Sequence, residues 1–302
     1  MKIIVSGLGK MGDQIAHKLS DGGFEVIANN RSPEKIDAAV KYNAKAAYTK
    51  DDAVKAVGAD QLILWLMISD TAMEEELIKW LDLVPAGSII IDGGNSDYRL
   101  TQKRSDTVKA KGSIYMDVGT SGGVWGYKNG FSLMCGGEEA SYKIIEPILK
   151  KLAEPSGAYG YFGPSGSGHF VKMVHNAIEY GMMESLAEGY RMLKEGPYKN
   201  IDLAKAGETW QHGSVVVSWL NELAQSALAE NPELDGIEGV VKESGETRWT
   251  LETAKDIDLP MPAIKAAFDV RLASQQGEVN FATKLLAAMR NKFGGHQINP
   301  DK

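Results

Sequence analysis

A chain of 302 residues with 43% apolar and 24% charged side chains can bury one large core or two ordinary ones, which excludes a disordered chain. The formal net charge of −7 excludes a non-specific grip on nucleic acid, which needs clustered cations, and no run of about 18 apolar residues offers a membrane span. The single cysteine, Cys135, excludes an intrachain disulfide and fits a reducing cytoplasm; its expected role is that of a small core side chain.

The first apolar run, at 2–6, reads as a strand, because Ser6-Gly7-Leu8-Gly9 interrupts it before a signal-peptide core could form. Gly7-Leu8-Gly9-Lys10-Met11-Gly12 then fits G-x-G-x-x-G between that strand and an amphipathic segment at 13–20. Gly7 would permit the tight turn, Gly9 the approach of a pyrophosphate to the backbone, and Gly12 close helix–strand packing, with the helix N-terminus facing the anion. A second strand at 24–29 ends in Asn29-Asn30-Arg31-Ser32, without the acid that bonds a ribose 2′-hydroxyl in NAD-preferring sites. Asn30, Arg31 and Ser32 offer donors and a cation to a 2′-phosphate, so NADP is favoured over NAD. The bland alternative is that Arg31 stacks on adenine and discriminates little.

Further strands are expected at 61–66, 88–92, 113–118 and 131–135, alternating with helical stretches. The pattern implies an α/β fold, a Rossmann-type doubly wound parallel sheet over residues 1–165. Two strand-following loops are rich in small and polar residues: Asp92-Gly93-Gly94-Asn95-Ser96, and Asp117-Val118-Gly119-Thr120-Ser121-Gly122-Gly123. Each can be a plain loop, yet open α/β sheets bind ligands at the carboxyl ends of their strands, and backbone amides there can meet an oxyanion.

The glycine-rich stretch 157–168 marks the domain border. Beyond it, amphipathic segments at 166–195, 201–230, 262–275 and 278–291 imply an all-helical domain over 166–302. In the first of these helices Lys172, His175, Asn176 and Glu179 follow i, i+3, i+4, i+7 spacing and share a polar face, while Val171, Val174, Ala177 and Ile178 are expected to pack into the core. Lys172 and Glu179 lie about 10 Å apart along the axis, suited to opposite ends of a small substrate. A lysine with a lowered pKa can take an alcohol proton as hydride leaves, and a carboxyl group can protonate carbon afterwards, a pairing that suits oxidation followed by decarboxylation. The bland reading is a solvated face carrying a Lys/Glu pair.

Taken together, G-L-G-K-M-G, I-D-G-G-N-S, S-G-G-V-W-G, G-H-F-V-K-M-V-H-N-A-I-E-Y and R-N-K-F-G-G-H resemble the 6-phosphogluconate dehydrogenases, decarboxylating members of the β-hydroxyacid dehydrogenase superfamily. The resemblance spans nearly the whole chain and is to the short form, which lacks an extra helical repeat. It implies that Lys172 is the base toward the C3 hydroxyl of 6-phosphogluconate and Glu179 the acid that protonates C1 of the enediol once carbon dioxide has left. It implies that Asn95, Ser121, Gly122, Gly123, His175 and Asn176 hold the sugar acid, with Asn95 also at the cofactor, and that Tyr180, Arg248, Thr250 and Arg271 grip the 6-phosphate. Arg290 and His296 match tail positions that reach a partner subunit's pocket, so a homodimer or dimer of dimers is expected. The segment Ser244-Gly245-Glu246-Thr247-Arg248-Trp249-Thr250 departs from the longer enzymes' K-G-T-G-K-W-T, although an arginine fork is apt for phosphate.

Two rivals share parts of this pattern. A non-decarboxylating β-hydroxyacid dehydrogenase of the 3-hydroxyisobutyrate type would keep the glycine turn, the S-G-G loop and the helix lysine; Glu179, Tyr180 and the cations Arg248, Arg271 and Arg290 argue against it. A catalytically silent dinucleotide sensor would need neither Lys172 nor Glu179. No metal is expected, since His17, His169, His175, His212 and His296 lack ligand spacing with carboxylates or thiols.

Overall fold

Unbroken apolar runs in the predicted strands are explained by a sheet covered on both faces. In the computed structural model, which describes residues 1–295, the strands are β1 (Lys2–Ser6), β2 (Glu25–Asn29), β3 (Lys45–Ala47), β4 (Ile63–Leu66), β5 (Ile89–Asp92), β6 (Ile114–Ser121), β7 (Ser132–Gly136) and β8 (Ala158–Tyr161). They form one 8-stranded sheet in the order β3-β2-β1-β4-β5-β6-β7-β8. Alternate residues enter different cores: Ile3, Val5, Ile63, Trp65, Ile89 and Ile91 on one face, Ile4, Leu64, Leu66 and Ile90 on the other. Each large aliphatic side chain so buried contributes roughly 1.5–3 kcal/mol.

Crossover helices cover the sheet: α1 (Lys10–Asp21), α2 (Pro33–Val40), α3 (Lys50–Val57), α4 (Asp70–Leu81), α5 (Tyr98–Ala110) and, after the single turn α6 (Gly126–Asn129) in the β6–β7 connection, α7 (Glu139–Ala153). Parallel pairing aligns Ser6 with Asn29 and Leu66, and Leu66 with Asp92, which is aligned with Asp117. The turns after β1, β2, β4 and β5 therefore emerge along one edge. The chain leaves β1 for β2 on one side and crosses to β4 on the other, which is the switch point where such sheets take ligands.

The sheet departs from the expected one in three respects. β6 and β7 pair antiparallel, because the connection 122–131 is too short for a crossover. β3 and β8 were not expected: the first is a three-residue edge strand, and the second reads Ala-Tyr-Gly-Tyr with no buried position, so neither offers an alternating signal.

The remaining helices are α8 (Ser167–Glu195), α9 (Leu203–Gln211), α10 (Trp219–Glu230), α11 (Glu246–Asp256), α12 (Pro262–Ser274) and α13 (Phe281–Gly294). The expected helix at 201–230 is two, broken around Gly213, whose φ of 81° favours glycine, and restarted by Ser218, whose hydroxyl accepts from the Asn221 amide. α11 was not expected; its Thr-rich, charged sequence has a weak apolar stripe. The chain divides into a first unit, Met1–Met173, and a second that starts at Val174. This division falls inside α8, eight residues past the border set at 165, because the first turns of α8 pack on the strands. The second unit has its own core, built by Met183, Ala187 and Tyr190 of α8 with Leu228, Leu285, Leu286 and Met289. No helix of the described residues is long and apolar enough to cross a membrane.

Candidate functional site

A cleft of about 700 Å³ opens at the switch point of the first unit, lined by Gly7, Gly9, Asn30, Arg31 and Ser32. Gly7 and Gly12 are required by contact. Gly7 has φ 96°, and a Cβ there would stand 2.4 Å from the Met67 carbonyl oxygen; a Cβ on Gly12 would stand 1.9 Å from that of Gly7. At Gly9 a Cβ would meet nothing within 4 Å, so the backbone is open toward the cleft. That combination of closed turn and open middle glycine fits a dinucleotide pyrophosphate at the start of α1.

The other motif residues divide by task. Leu8 is a core side chain, 1% exposed, and its amide donates to Asn30 Oδ1 at 2.9 Å. Asn30 Nδ2 in turn reaches the Ser32 carbonyl at 3.3 Å, so Asn30 ties the β2 loop to the glycine turn. Met11 packs against the core, and Lys10 is exposed. Sequence reasoning missed the further cleft residues Tyr48, Thr49, Lys50, Ile68, Ser69 and Lys79, because these come from loops and from the helices α3 and α4, none with a fingerprint. Lys50 pairs with Glu76 at 2.8 Å, and Lys79 with Glu75 at 2.6 Å and Glu76 at 2.9 Å. Among the described residues Arg31 has no such acid partner, which makes it the uncommitted cation of the cleft.

The strand-end loops are held by buried acids. Asp92, fully buried, accepts from the Gly94 amide, the Ser96 hydroxyl and the Tyr115 hydroxyl, and its Oδ2 lies 3.7 Å from the Arg104 guanidinium. This leaves Asn95 exposed at the tip. Ser121 ends β6, and Gly122 and Gly123 turn the chain with φ values of 132° and 55°. Lys172 sits over the same strand: a Cβ on Gly119 would be 2.3 Å from Lys172 Cβ, so only glycine lets the lysine stem approach.

Helix α8 inverts the usual amphipathic rule. Lys172 is 5% and Asn176 8% exposed, with His175 and Glu179 half-buried, whereas Ile178, expected in the core, is 49% exposed. Val171 and Val174 are half-buried and Ala177 is buried as expected. In the second unit Asn176 Nδ2 donates to Glu246 Oε1 at 2.7 Å, and His175 Nδ1 lies 2.9 Å from Asn176 Oδ1. Since an amide oxygen only accepts, the imidazole nitrogen donates there. Thr250 donates to the Glu246 carbonyl at 2.8 Å. Glu246 is a residue whose place no sequence spacing revealed.

Further along α8, Tyr180 receives the Ser244 amide at its hydroxyl and carries the Arg271 guanidinium over its ring, 3.2 Å from the centroid. Arg271 is 1% exposed; its Nη2 reaches Met183 Sδ at 3.6 Å, and its Nη1 has no hydrogen-bond partner among the described residues. Burial, with the Arg290 charge, pushes its pKa down to about 10, and burial lowers that of Arg290 as well. Tyr180 and Glu179 act on both guanidinium groups, which brings four of the predicted residues into one electrostatic cluster. Arg248 turns elsewhere: it pairs with Glu243 at 2.8 Å and lies over the Phe268 ring. His296 lies outside the described residues. Among the described residues no group of three His, Cys, Asp or Glu side chains is arranged to hold a metal ion.

Two family models match the chain. Residues 2–163 match the family model of the NAD binding domain of 6-phosphogluconate dehydrogenase, and residues 168–297 that of the enzyme's C-terminal domain. The chain is 35% identical over 300 residues to the NAD(+)-dependent, decarboxylating 6-phosphogluconate dehydrogenase of Haloferax volcanii, covering 99% of this chain and 98% of the relative. It superposes on the Plasmodium falciparum 6-phosphogluconate dehydrogenase, solved with NADP+ and with 6-phosphogluconate, with a TM-score of 0.83 at 30% identity, covering all of this chain and 67% of that one. A 3-hydroxyisobutyrate dehydrogenase from Salmonella typhimurium shares the fold, with a TM-score of 0.76 at 17% identity over 95% of this chain and 99% of that one.

Proposed function

The chain belongs to the 6-phosphogluconate dehydrogenase family, and from that premise we infer that it converts 6-phosphogluconate to ribulose 5-phosphate and carbon dioxide while reducing NAD(P). The observation that carries the substrate class is Arg271, a buried guanidinium whose Nη1 has no hydrogen-bond partner among the described residues and whose pKa is lowered by burial and, after it, by the Arg290 charge. Two cations that disfavour each other in a poorly solvated site are stabilised by a dianion, and a phosphate monoester supplies one. An unphosphorylated hydroxy acid gives them no such partner, which weighs against the 3-hydroxyisobutyrate reading, and a silent sensor has no use for a buried lysine.

Lys172 takes the C3 hydroxyl proton as the C3 hydride departs and the alcohol becomes a ketone. The oxidised nicotinamide, when bound, accepts that hydride. The resulting β-keto acid loses C1 as carbon dioxide; the C1–C2 bond electrons form a C2=C3 double bond, and Lys172 returns its proton to the C3 oxygen, giving the enediol. Glu179 then delivers a proton to the former C2, now C1 of the pentose, while Lys172 takes back the neighbouring hydroxyl proton, giving the ketose phosphate. Asn95, Ser121, Gly122, Gly123, His175 and Asn176 hold the sugar acid; Tyr180, Thr250, Arg271 and Arg290 take the phosphate, with Arg248 requiring release from Glu243 to join them. Gly7, Leu8, Gly9, Lys10, Met11 and Gly12 serve the pyrophosphate. NADP is preferred over NAD, supported by Arg31 and by the absence of an acid at the end of β2.

The working enzyme is a homodimer or a dimer of dimers in the cytoplasm, as the family resemblance implies. Steady-state kinetics with both nucleotides, with carbon dioxide followed alongside reduced cofactor, test the whole reading. Equal release of the two products is expected, and reduction without carbon dioxide would return the chain to the non-decarboxylating class.

A further inference from the structure

The lysine that must sit to within a fraction of an ångström of a substrate hydroxyl is carried on the second turn of α8, so whatever seats the start of that helix sets the lysine. Helix starts leave backbone amides without partners, and these are commonly met by a side chain of the helix's own N-cap. Here the partner comes from the sheet. Asp117 of β6, fully buried, accepts from the Gly166 amide through Oδ1 at 2.8 Å and from the His169 amide through Oδ2 at 2.9 Å.

The surroundings leave that carboxylate and the helix little freedom. A Cβ on Gly136, which pairs with Asp117 across β6 and β7, would stand 2.7 Å from both carboxylate oxygens. A Cβ on Gly168 would stand 2.4 Å from the Met134 carbonyl oxygen, so backbone of the helix lies directly on backbone of β7. The same turn is pinned from α5, where the Thr101 hydroxyl lies 2.7 Å from His169 Nδ1. Two residues along β6 from Asp117, Gly119 receives the stem of Lys172.

We propose that Asp117 is a positioning residue for the reaction: its carboxylate clamps the first turn of α8 to β6 and thereby fixes the Lys172 amine over the strand end. Its two oxygens meet two donors, so geometry as well as charge is needed; the negative charge also complements the positive end of the helix. An asparagine keeps the shape but presents an NH2 group to one of the two amides, losing one bond and creating a donor–donor contact. This inference rests on Lys172 being the base.

The test is Asp117→Asn in the full-length protein, measured beside Lys172→Ala. Turnover with 6-phosphogluconate, and the primary isotope effect with substrate deuterated at C3, are read per folded molecule, with cofactor binding as the control. Expected for Asp117→Asn is a fall in kcat of tenfold or more, a raised isotope effect as hydride transfer becomes limiting, and a cofactor affinity within twofold of the parent. A merely structural role lowers the folded fraction and leaves the isotope effect where it was; that result, or an unchanged kcat, overturns the proposal. If the asparagine variant does not accumulate as folded protein, Asp117→Glu, which keeps both acceptors and the charge on a longer arm, is held to the same two readings. A turnover-competent Lys172→Ala would instead remove the base assignment, so the two failures are told apart.

Discussion

At the scale of single residues the reaction depends on where charge is placed and what surrounds it. Lys172→Ala is expected to lower kcat about 10²–10⁴-fold, the range of a lost general base, with cofactor affinity unchanged by equilibrium titration; ordinary turnover in this variant would end its assignment. Glu179→Ala should spare hydride transfer in a single turnover and slow the later protonation, so that reduced cofactor appears ahead of ribulose 5-phosphate. Arg271→Leu removes a buried cation whose Nη1 is unpartnered, and is expected to raise KM for 6-phosphogluconate more than a hundredfold without loss of melting temperature. Replacing a buried, poorly satisfied charge with an apolar side chain of similar girth is seldom destabilising. Arg31→Ala should weaken NADP selectively; equal weakening of NAD, measured by fluorescence titration, would leave Arg31 an adenine shelf and no more.

At the scale of elements, helices and turns place these groups by excluding alternatives. The β1–α1 turn closes only because Gly12 lacks a side chain, since a Cβ there would meet the Gly7 carbonyl at 1.9 Å. Gly12→Ala is therefore expected to lower the melting temperature by several degrees, in line with an overpacking cost of roughly 1–3 kcal/mol, and to cut NAD(P) affinity at least tenfold. A normal dinucleotide affinity in this variant would show that α1 can retreat without cost. Helix α8 illustrates the opposite device, an element that turns its polar face inward. Spacing alone identified that face through Lys172, His175, Asn176 and Glu179, yet it left Ile178 on the wrong side, because periodicity reports which residues share a face and not which face is buried.

At the scale of the whole molecule, buried acidic groups should mark the pH dependence of stability. Glu184, on α8 beside Arg271, has its pKa pushed up to about 7 by burial, with Glu188 adding to the effect and Arg271 opposing it. The folded state thus holds a proton that the unfolded chain releases near the ordinary value of 4.5, so this group's contribution is fully present below about pH 4.5 and is lost as pH rises toward 7. Glu184→Gln should accordingly raise the melting temperature at pH 8 and leave it unchanged at pH 4.5; a gain at both, by calorimetry, would point to packing.

Much of this architecture is written in local pattern. Apolar runs of strand length, G-x-G-x-x-G after the first of them and a polar stripe at helical spacing identify the α/β sheet, the glycine turn and helix α8, because each depends on neighbours within a few residues. What local pattern does not carry is how distant segments meet. The short strand β3, the antiparallel entry of β7, the salt-bridged wall of Lys50 and Lys79, and the pairing of Asn176 with Glu246 all depend on chain returning from far along the sequence. Composition and spacing could nominate a lysine, a glutamate and several arginines. Only packing could decide that Arg271 is stripped of water against Tyr180, that Arg248 is drawn off to Glu243, and that Asp117 reaches across to hold the helix, because burial and electrostatic coupling are properties of the folded neighbourhood and not of residue type.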